Sequence, residues 1–387
     1  MYPDEVMSMP GSGRSKEDGS AGALREKPGL VPGLIGRRVP PCVDAHGAVV
    51  PESIAEWSRV RIGGVDQWMA IRGRRRSNPI LLLLHGGPGT PETPLLFHFN
   101  RELCDHVTLV AWEARGACRS TSRSIPPETM TFERAVEDAI EVTEHLRERF
   151  GHERIYLAGH SWGALVGISA AQRAPHLYRA YIGIAQPVDF ARSLVAVRAW
   201  AIDAARAKGN ARAVRELEQL GRLAAEGRVP AWQVFLAQMK WATRLGAGFA
   251  KTSVGQLLFR VFLPSPVYSL ADKVRYVLGA RFSEKHLMPE AEKRDLFSQV
   301  PRLEIPAYFV HGRLDGQVPP GLTEEYVRAL EAPAKQFFYL EHAAHAALFD
   351  EPERFQEILV GTVLAETQAA ARNAGRRGLT GPITRET

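Results

Sequence analysis

The chain has 387 residues, 45% of them hydrophobic, with 49 basic and 43 acidic side chains that leave a net charge of +6. That balance fits a soluble protein with a real core, built as one large domain with an insertion or as two small domains. The longest apolar run, Ile80 to Leu84, is too short for a membrane span, the opening Met-Tyr-Pro-Asp-Glu has no basic-then-apolar leader pattern, and three cysteines (Cys42, Cys104 and Cys118) give no disulfide framework or zinc-ligand spacing.

Those features point to a cytoplasmic protein that uses no metal or organic cofactor. The most visible basic cluster, Arg72, Arg74, Arg75 and Arg76, lacks interleaved aromatics and further basic runs. It reads as a solvated turn between strands rather than a nucleic-acid surface.

Residues 1–41 are rich in Gly, Pro, Ser and charge without apolar period and read as a disordered extension; 368–387 read as a flexible tail. Between them strand and helix signals alternate. Residues 57–62 and 67–71 form a hairpin turned at Gly63-Gly64. Ile80 to Leu84 and 107–112 read as buried strands. Thr131 caps a helix whose apolar face (Phe132, Ala135, Val136, Ala139, Ile140, Thr143, Leu146) recurs at the helical period and which stops at Gly151. Strands at 155–158 and 181–185 follow, separated by a small-residue helix starting near Trp162. The alternation predicts a mainly parallel sheet covered by helices on both faces. It pauses over 188–299, where helices are broken at Gly209-Asn210, 227–230, 246–248 and 264–266, and resumes with strands at 307–310 and 336–340. The first core part is thus 42–187, the second 300–367. The helical block between them is a cap over the carboxyl ends of the strands, where such sheets bind ligands.

Gly159-His160-Ser161-Trp162-Gly163 lies between a strand and a helix. A tight turn there needs residues without bulk beside the serine, which Gly159 and Gly163 supply, and it pushes the Ser161 hydroxyl out of the sheet. A serine hydroxyl needs a base within hydrogen-bond reach to act as nucleophile. Asp315, just past the strand ending at Val310, and His345, just past the strand ending at Leu340, leave the same sheet edge in the order serine, acid, histidine. Each alone could be a turn or surface residue; residue type, chain order and placement agree only when all three are taken together. His342 competes with His345 at this point. His85-Gly86-Gly87-Pro88-Gly89 follows the strand Ile80 to Leu84 and is suited to aim backbone N–H groups at a developing oxyanion, with Gly87 and Trp162 as the donors.

These segments, with Gly312-Arg313-Leu314-Asp315 and His345 followed by Asp350-Glu351-Pro352, resemble the proline iminopeptidase branch of the α/β-hydrolases over residues 54–359. The resemblance implies an eight-stranded, mainly parallel sheet flanked by helices with an inserted cap. It implies a Ser161–Asp315–His345 triad and, by the spacing from His345 to Pro352, selects His345 over His342. The expected activity is two-step acyl transfer on a small molecule or short peptide, with no nucleic-acid or membrane partner. An aminopeptidase is the first reading. An esterase, lactonase or amidase acting on a substrate without a free amine is the second, and an inactive binding relative the third. Glu113-Ala114-Arg115-Gly116-Ala117-Cys118-Arg119-Ser120 replaces the family's Asp-Gln-Arg-Gly-x-Gly-x-Ser, which implies an altered pocket wall, and His160 stands where many iminopeptidases carry Gly. In those peptidases lid carboxylates hold the substrate amine; Glu216, Glu218 and Glu226 fall in the right region, where exposed helix carboxylates are the plainer reading. The lid aromatics Trp200, Trp232, Phe235, Trp241, Phe249 and Phe262 could line an apolar pocket or form the lid's own core.

Overall fold

The computed structural model describes residues 36–378. Eight strands form one sheet: β1 Ile54–Ile62, β2 Val65–Gly73, β3 Ile80–Leu84, β4 Thr108–Glu113, β5 Ile155–His160, β6 Tyr178–Ile184, β7 Ala307–Gly312 and β8 Lys335–Leu340. Their order is β1-β2-β4-β3-β5-β6-β7-β8. β1 and β2 pair antiparallel around the Gly63-Gly64 turn, β2 meets β4 antiparallel, and every other pairing is parallel. The five-residue run of β3 is buried throughout because both sheet faces are covered: Ile80, Leu82 and Leu84 join one core cluster, Leu81 and Leu83 the other. β5 divides in the same way, with Ile155 and Leu157 on one side and Tyr156 and Ala158 on the other. Chain order reverses around β3, which has β4 on one side and β5 on the other. The crevice at its carboxyl end is therefore the switch point where such sheets bind ligands.

The sheet is flanked by α1 Thr93–Phe99, α2 Phe132–Phe150 and α3 Trp162–Arg173. The Thr131 side chain accepts the Arg134 N–H at the start of α2, and Gly151 ends it in the left-handed region, φ 69°. Between β6 and β7 lie α4 Phe190–Ala207, α5 Ala211–Ala225, α6 Ala231–Leu245 and α7 Leu270–Ala291, with single turns at Val254–Leu257 and Leu296–Gln299. α4, α5 and α6 pack on one another around a small core of their own, including Val197, Ala201, Leu217, Ala242 and Leu245. α7 returns to the main body against the turn Cys118–Ser120 and α2. After β7 come α8 Pro320–Ala329, α9 Pro352–Ile358 and α10 Ala365–Gly378.

The ends differ from expectation where they are described. Residues 1–35 and 379–387 lie outside the described residues. By Arg37 the extension is already docked: the Arg37 and Arg38 N–H groups donate to Pro266 O, and Val39 is buried. The tail expected from 368 instead continues α10 as far as Gly378. Its first turn is anchored on the sheet, where Tyr308 donates to Glu366 at 2.8 Å and Tyr156 meets Thr367 at 2.7 Å. The run Gln368-Ala369-Ala370-Ala371-Arg372 then favours continued helix. Among the described residues no helix is long and apolar enough to cross a membrane.

Candidate active site

Ser161 sits between β5 and α3 at φ 54°, ψ −117°, a backbone region an L-residue occupies only under constraint. Its neighbours explain the sharpness of the turn. A Cβ on Gly163 would stand 2.2 Å from Leu84 O, and one on Gly159 2.3 Å from Gly163 O. Helix and strands thus touch backbone to backbone, which lifts Ser161 to the sheet edge. It lines a cavity of about 270 Å³ that also takes in Gly86, Gly87, Trp162, Val318 and His345, all just past strand ends, and Phe235 and Met239 from α6.

His345 lies across that cavity. Its Nδ1 is 2.9 Å from Asp315 Oδ2. Asp315 is held on both oxygens: Oδ1 accepts the Gln317 and Val318 N–H groups at 2.8 and 2.9 Å, and Oδ2 also faces His311 Nε2 at 3.1 Å. Burial alone would raise the Asp315 carboxyl, but the charge of His345 and hydrogen bonds from His311 and His345 outweigh it and hold the group well below the usual carboxylate range. His311 Nε2 also lies 2.7 Å from Val318 O, which makes that nitrogen the donor. Among the described residues no hydrogen bond joins Ser161 to His345; such contacts are often long before substrate binds. His342 is exposed and does not line the cavity.

Gly87 has φ 117°, open only to glycine, and a Cβ there would meet Gly89 N at 2.7 Å. Neither its N–H nor that of Trp162 is engaged by another group among the described residues, and both border the cavity beside Ser161. His85 braces this loop: its Nδ1 meets Gly86 O at 2.7 Å while Nε2 accepts the Ala114 N–H at 3.3 Å.

Several residues to which the sequence assigned no part belong to the site. His160 Nδ1 is 2.5 Å from Glu92 Oε1 and Nε2 is 3.1 Å from His345 O. Both ring nitrogens face oxygen atoms, an arrangement that favours the protonated ring. Burial opposes that charge, but Glu92 prevails and raises the group. Asp350, present in the sequence only as part of Asp350-Glu351-Pro352, accepts the Ala344 N–H at 2.9 Å and the Ala250 N–H at 3.0 Å, fixing the His345 loop to the cap. The cap chain adds two backbone bonds, from the His345 and Ala346 N–H groups to Ala247 O and Gly248 O.

One expectation is corrected. Residues 112–120 do not line the catalytic cavity. Glu113 is fully buried and accepts from Tyr268 Oη at 2.5 Å and the Arg119 N–H at 2.8 Å, while Cys118 packs on Asp272 O. The segment faces the base of the cap because the Glu113 side chain reaches Tyr268, not the substrate space. The carboxylates Glu216, Glu218 and Glu226 are outside the cavity, in agreement with the plainer reading, tied on the surface to Arg212 and Trp241, Arg206, and Arg228. Of the lid aromatics, Phe235 and Phe249 line the cavity; Trp200 and Trp241 pack in the cap core, Trp232 on the main core, and Phe262 against Tyr268 and Tyr276. Among the described residues no His, Cys, Asp and Glu cluster could hold a metal ion.

Sheet order, the tight strand-to-helix turn at Ser161 and the glycine-rich loop after β3 together mark a known architecture. The chain belongs to the α/β-hydrolase family, whose model, "Alpha/beta hydrolase family", matches residues 81–358. Within that family it falls in the proline iminopeptidase-like branch. It is 32% identical over 321 residues to "Probable aminopeptidase YbaC" of Bacillus subtilis (strain 168), covering 80% of this chain and 98% of that one. It is 22% identical over 284 residues to the proline iminopeptidase of Heyndrickxia coagulans, covering 72% and 88%. The crystal structure of a proline iminopeptidase-related protein from Thermus thermophilus shares the fold, with a TM-score of 0.52 at 23% identity over 82% of this chain and 98% of that one.

Proposed function

We propose that this α/β-hydrolase cleaves a small amide or ester by two-step acyl transfer, with Ser161 as nucleophile, His345 as general base and Asp315 as the group that orients it. His345 takes the Ser161 proton as the hydroxyl oxygen attacks the substrate carbonyl. The Gly87 and Trp162 N–H groups receive the oxyanion. The imidazolium then gives its proton to the departing amine or alcohol, and water, deprotonated by His345, releases the acid. Asp315 holds the proton on Nδ1, leaving Nε2 free to act as base. The observation that carries the reading is the His345 Nδ1–Asp315 Oδ2 contact at 2.9 Å on the wall of the cavity that Ser161 lines. The three unpaired, buried cysteines suit a reducing, cytoplasmic setting.

The first substrate reading is aminopeptidase cleavage, supported by the similarity to a protein named as a probable aminopeptidase. An esterase or amidase without amine recognition is the second, favoured by the surface location of Glu216, Glu218 and Glu226. A fluorophosphonate probe tests the reaction class: it should label the wild-type chain and not Ser161→Ala, and folded wild type that stays unlabelled refutes acyl transfer. Proline-β-naphthylamide against short p-nitrophenyl esters separates the two substrate readings; turnover of esters alone removes the peptidase.

A further inference from the structure

One cation in the catalytic cavity has no part in acyl transfer. Arg294, just past α7, lines the cavity with Met288, Ala291, Phe190 and Val188 as apolar neighbours. Its guanidinium carbon stands 4.3 Å over the Phe132 ring, and Phe132 meets Trp162 edge-on with centroids 5.7 Å apart. The charge is therefore linked through two aromatic rings to the residue after Ser161. Its Nε is buried without a hydrogen-bond partner, and among the described residues no carboxylate lies within ion-pair distance of the guanidinium.

The adjacent acids are engaged elsewhere. Asp189 accepts the Arg192 N–H at 3.0 Å, Asp295 the Phe297 N–H at 3.0 Å and the Ser298 hydroxyl at 2.7 Å, and Glu292 the Trp232 N–H at 3.3 Å, while Glu92 is turned to His160 through Oε1, its Oε2 being buried without a partner, and makes no ion pair with Arg294. Arg115 shows the usual solution: it is buried on Asp138 at 2.9 Å. Arg294 is half-buried, and a ligand anion that closes the cavity over it would supply the partner its buried Nε lacks. A guanidinium presents a planar fork of donors matched to a carboxylate.

We propose that Arg294 recognises a carboxylate on the substrate. This rests on the reading of the Ser161 cavity as the place of acyl transfer and narrows its substrates to carboxylate-bearing amides or esters that fit about 270 Å³. In a peptidase the carboxylate is the free C-terminus of a di- or tripeptide; in an esterase it is the distal acid of a dicarboxylic monoester.

The test is binding to the full chain carrying Ser161→Ala, which separates recognition from turnover. Calorimetry compares prolylglycine with prolylglycinamide, and monoethyl glutarate with diethyl glutarate. The acid of one pair should bind about tenfold or more tighter than its neutral partner, and which pair responds identifies the source of the carboxylate. Adding Arg294→Met should reduce that preference to about threefold or less, with Arg294→Gln as the second variant if the first does not fold. No preference in either pair, including no binding at all, overturns the proposal, as does a preference that survives in a folded Arg294 variant. Fluorophosphonate labelling of the Arg294 variants with Ser161 intact reports separately on acyl transfer, so failure of one reading is not mistaken for failure of the other.

Discussion

Asp315→Asn tests the orienting carboxylate through its hydrogen bonds. Asp315 Oδ1 accepts two backbone N–H groups, from Gln317 and Val318, at 2.8 and 2.9 Å. The asparagine carbonyl must take that place, because an NH₂ there would leave donors facing donors. The amide NH₂ then points at His345 Nδ1, 2.9 Å from the replaced oxygen, and at His311 Nε2. His345 can accept from it only by moving its proton to Nε2, which removes the lone pair that would receive the Ser161 proton. Loss of the required tautomer costs on the order of 10⁴ in kcat, roughly 5–6 kcal/mol of transition-state stabilisation. The cavity walls are untouched, so KM should change little. The assay is steady-state turnover of a p-nitrophenyl ester together with the fluorophosphonate labelling rate at Ser161, both expected to fall together, while the thermal midpoint shows the variant folded. Retention of activity within about tenfold, alongside an inactive His345→Ala, would refute the tautomer argument.

Gly163→Ala places a Cβ 2.2 Å from Leu84 O, where only backbone can yield; destabilisation of about 3 kcal/mol in urea unfolding is expected, and a loss under about 0.5 kcal/mol would contradict the backbone contact. Glu113 is pushed up to about 7, by burial above all, against an ordinary value near 4.5. The folded state thus holds this proton more tightly than the unfolded chain, so the contribution is complete below pH 4.5 and is lost as pH rises through 7; it amounts to about 3 kcal/mol, and Glu113→Gln should flatten the fall in unfolding free energy between pH 5 and 8 that wild type shows. Asp350→Ala leaves the Ala344 and Ala250 N–H groups without their acceptor, and displacement of the His345 loop should lower kcat by roughly 10²-fold; unchanged turnover would mean that the Ala247 and Gly248 bonds fix the loop unaided.

Elements whose cause lies within a few residues were readable from the sequence. Thr131 and Gly151 bracket α2 because cap and stop are local chemistry. β3 was visible because five consecutive apolar residues admit burial on both faces. Strand ends ran longer than their apolar runs: β5 continues to His160 and β7 to Gly312, because pairing with neighbouring strands carries polar and small residues along. Ser161, Asp315 and His345 could be found only as a set, because each follows a strand and strand ends share an edge, and the family resemblance chose His345 over His342. The charge arrangement around them was not legible. Glu92 and His160 are 68 residues apart and Asp138 reaches Gln67 across 71, with no pattern along the chain to announce either pairing.

The replaced segment after β4 shows how a local substitution acquires its meaning from remote residues. In the sequence, Glu113 is one methylene longer than the family's aspartate and Cys118 is bulkier than glycine, changes that suggest a remodelled pocket. In the fold, the longer side chain brings Oε1 to the Tyr268 hydroxyl at 2.5 Å, and Arg119 stacks 3.7 Å over Trp68 and 4.2 Å over Trp57 while facing Asp272. Tyr268 lies just before α7 and Asp272 in its first turn, and the far end of that helix is followed by Arg294. The substitutions therefore fasten the root of the helix that leads to the cavity's unpaired cation. Glu113→Asp, which restores the shorter acid, should lengthen or lose the Tyr268 contact without altering any cavity-lining side chain. A change in carboxylate preference in that variant would trace to the seating of α7; a change in stability alone would confine the segment to holding core and cap together.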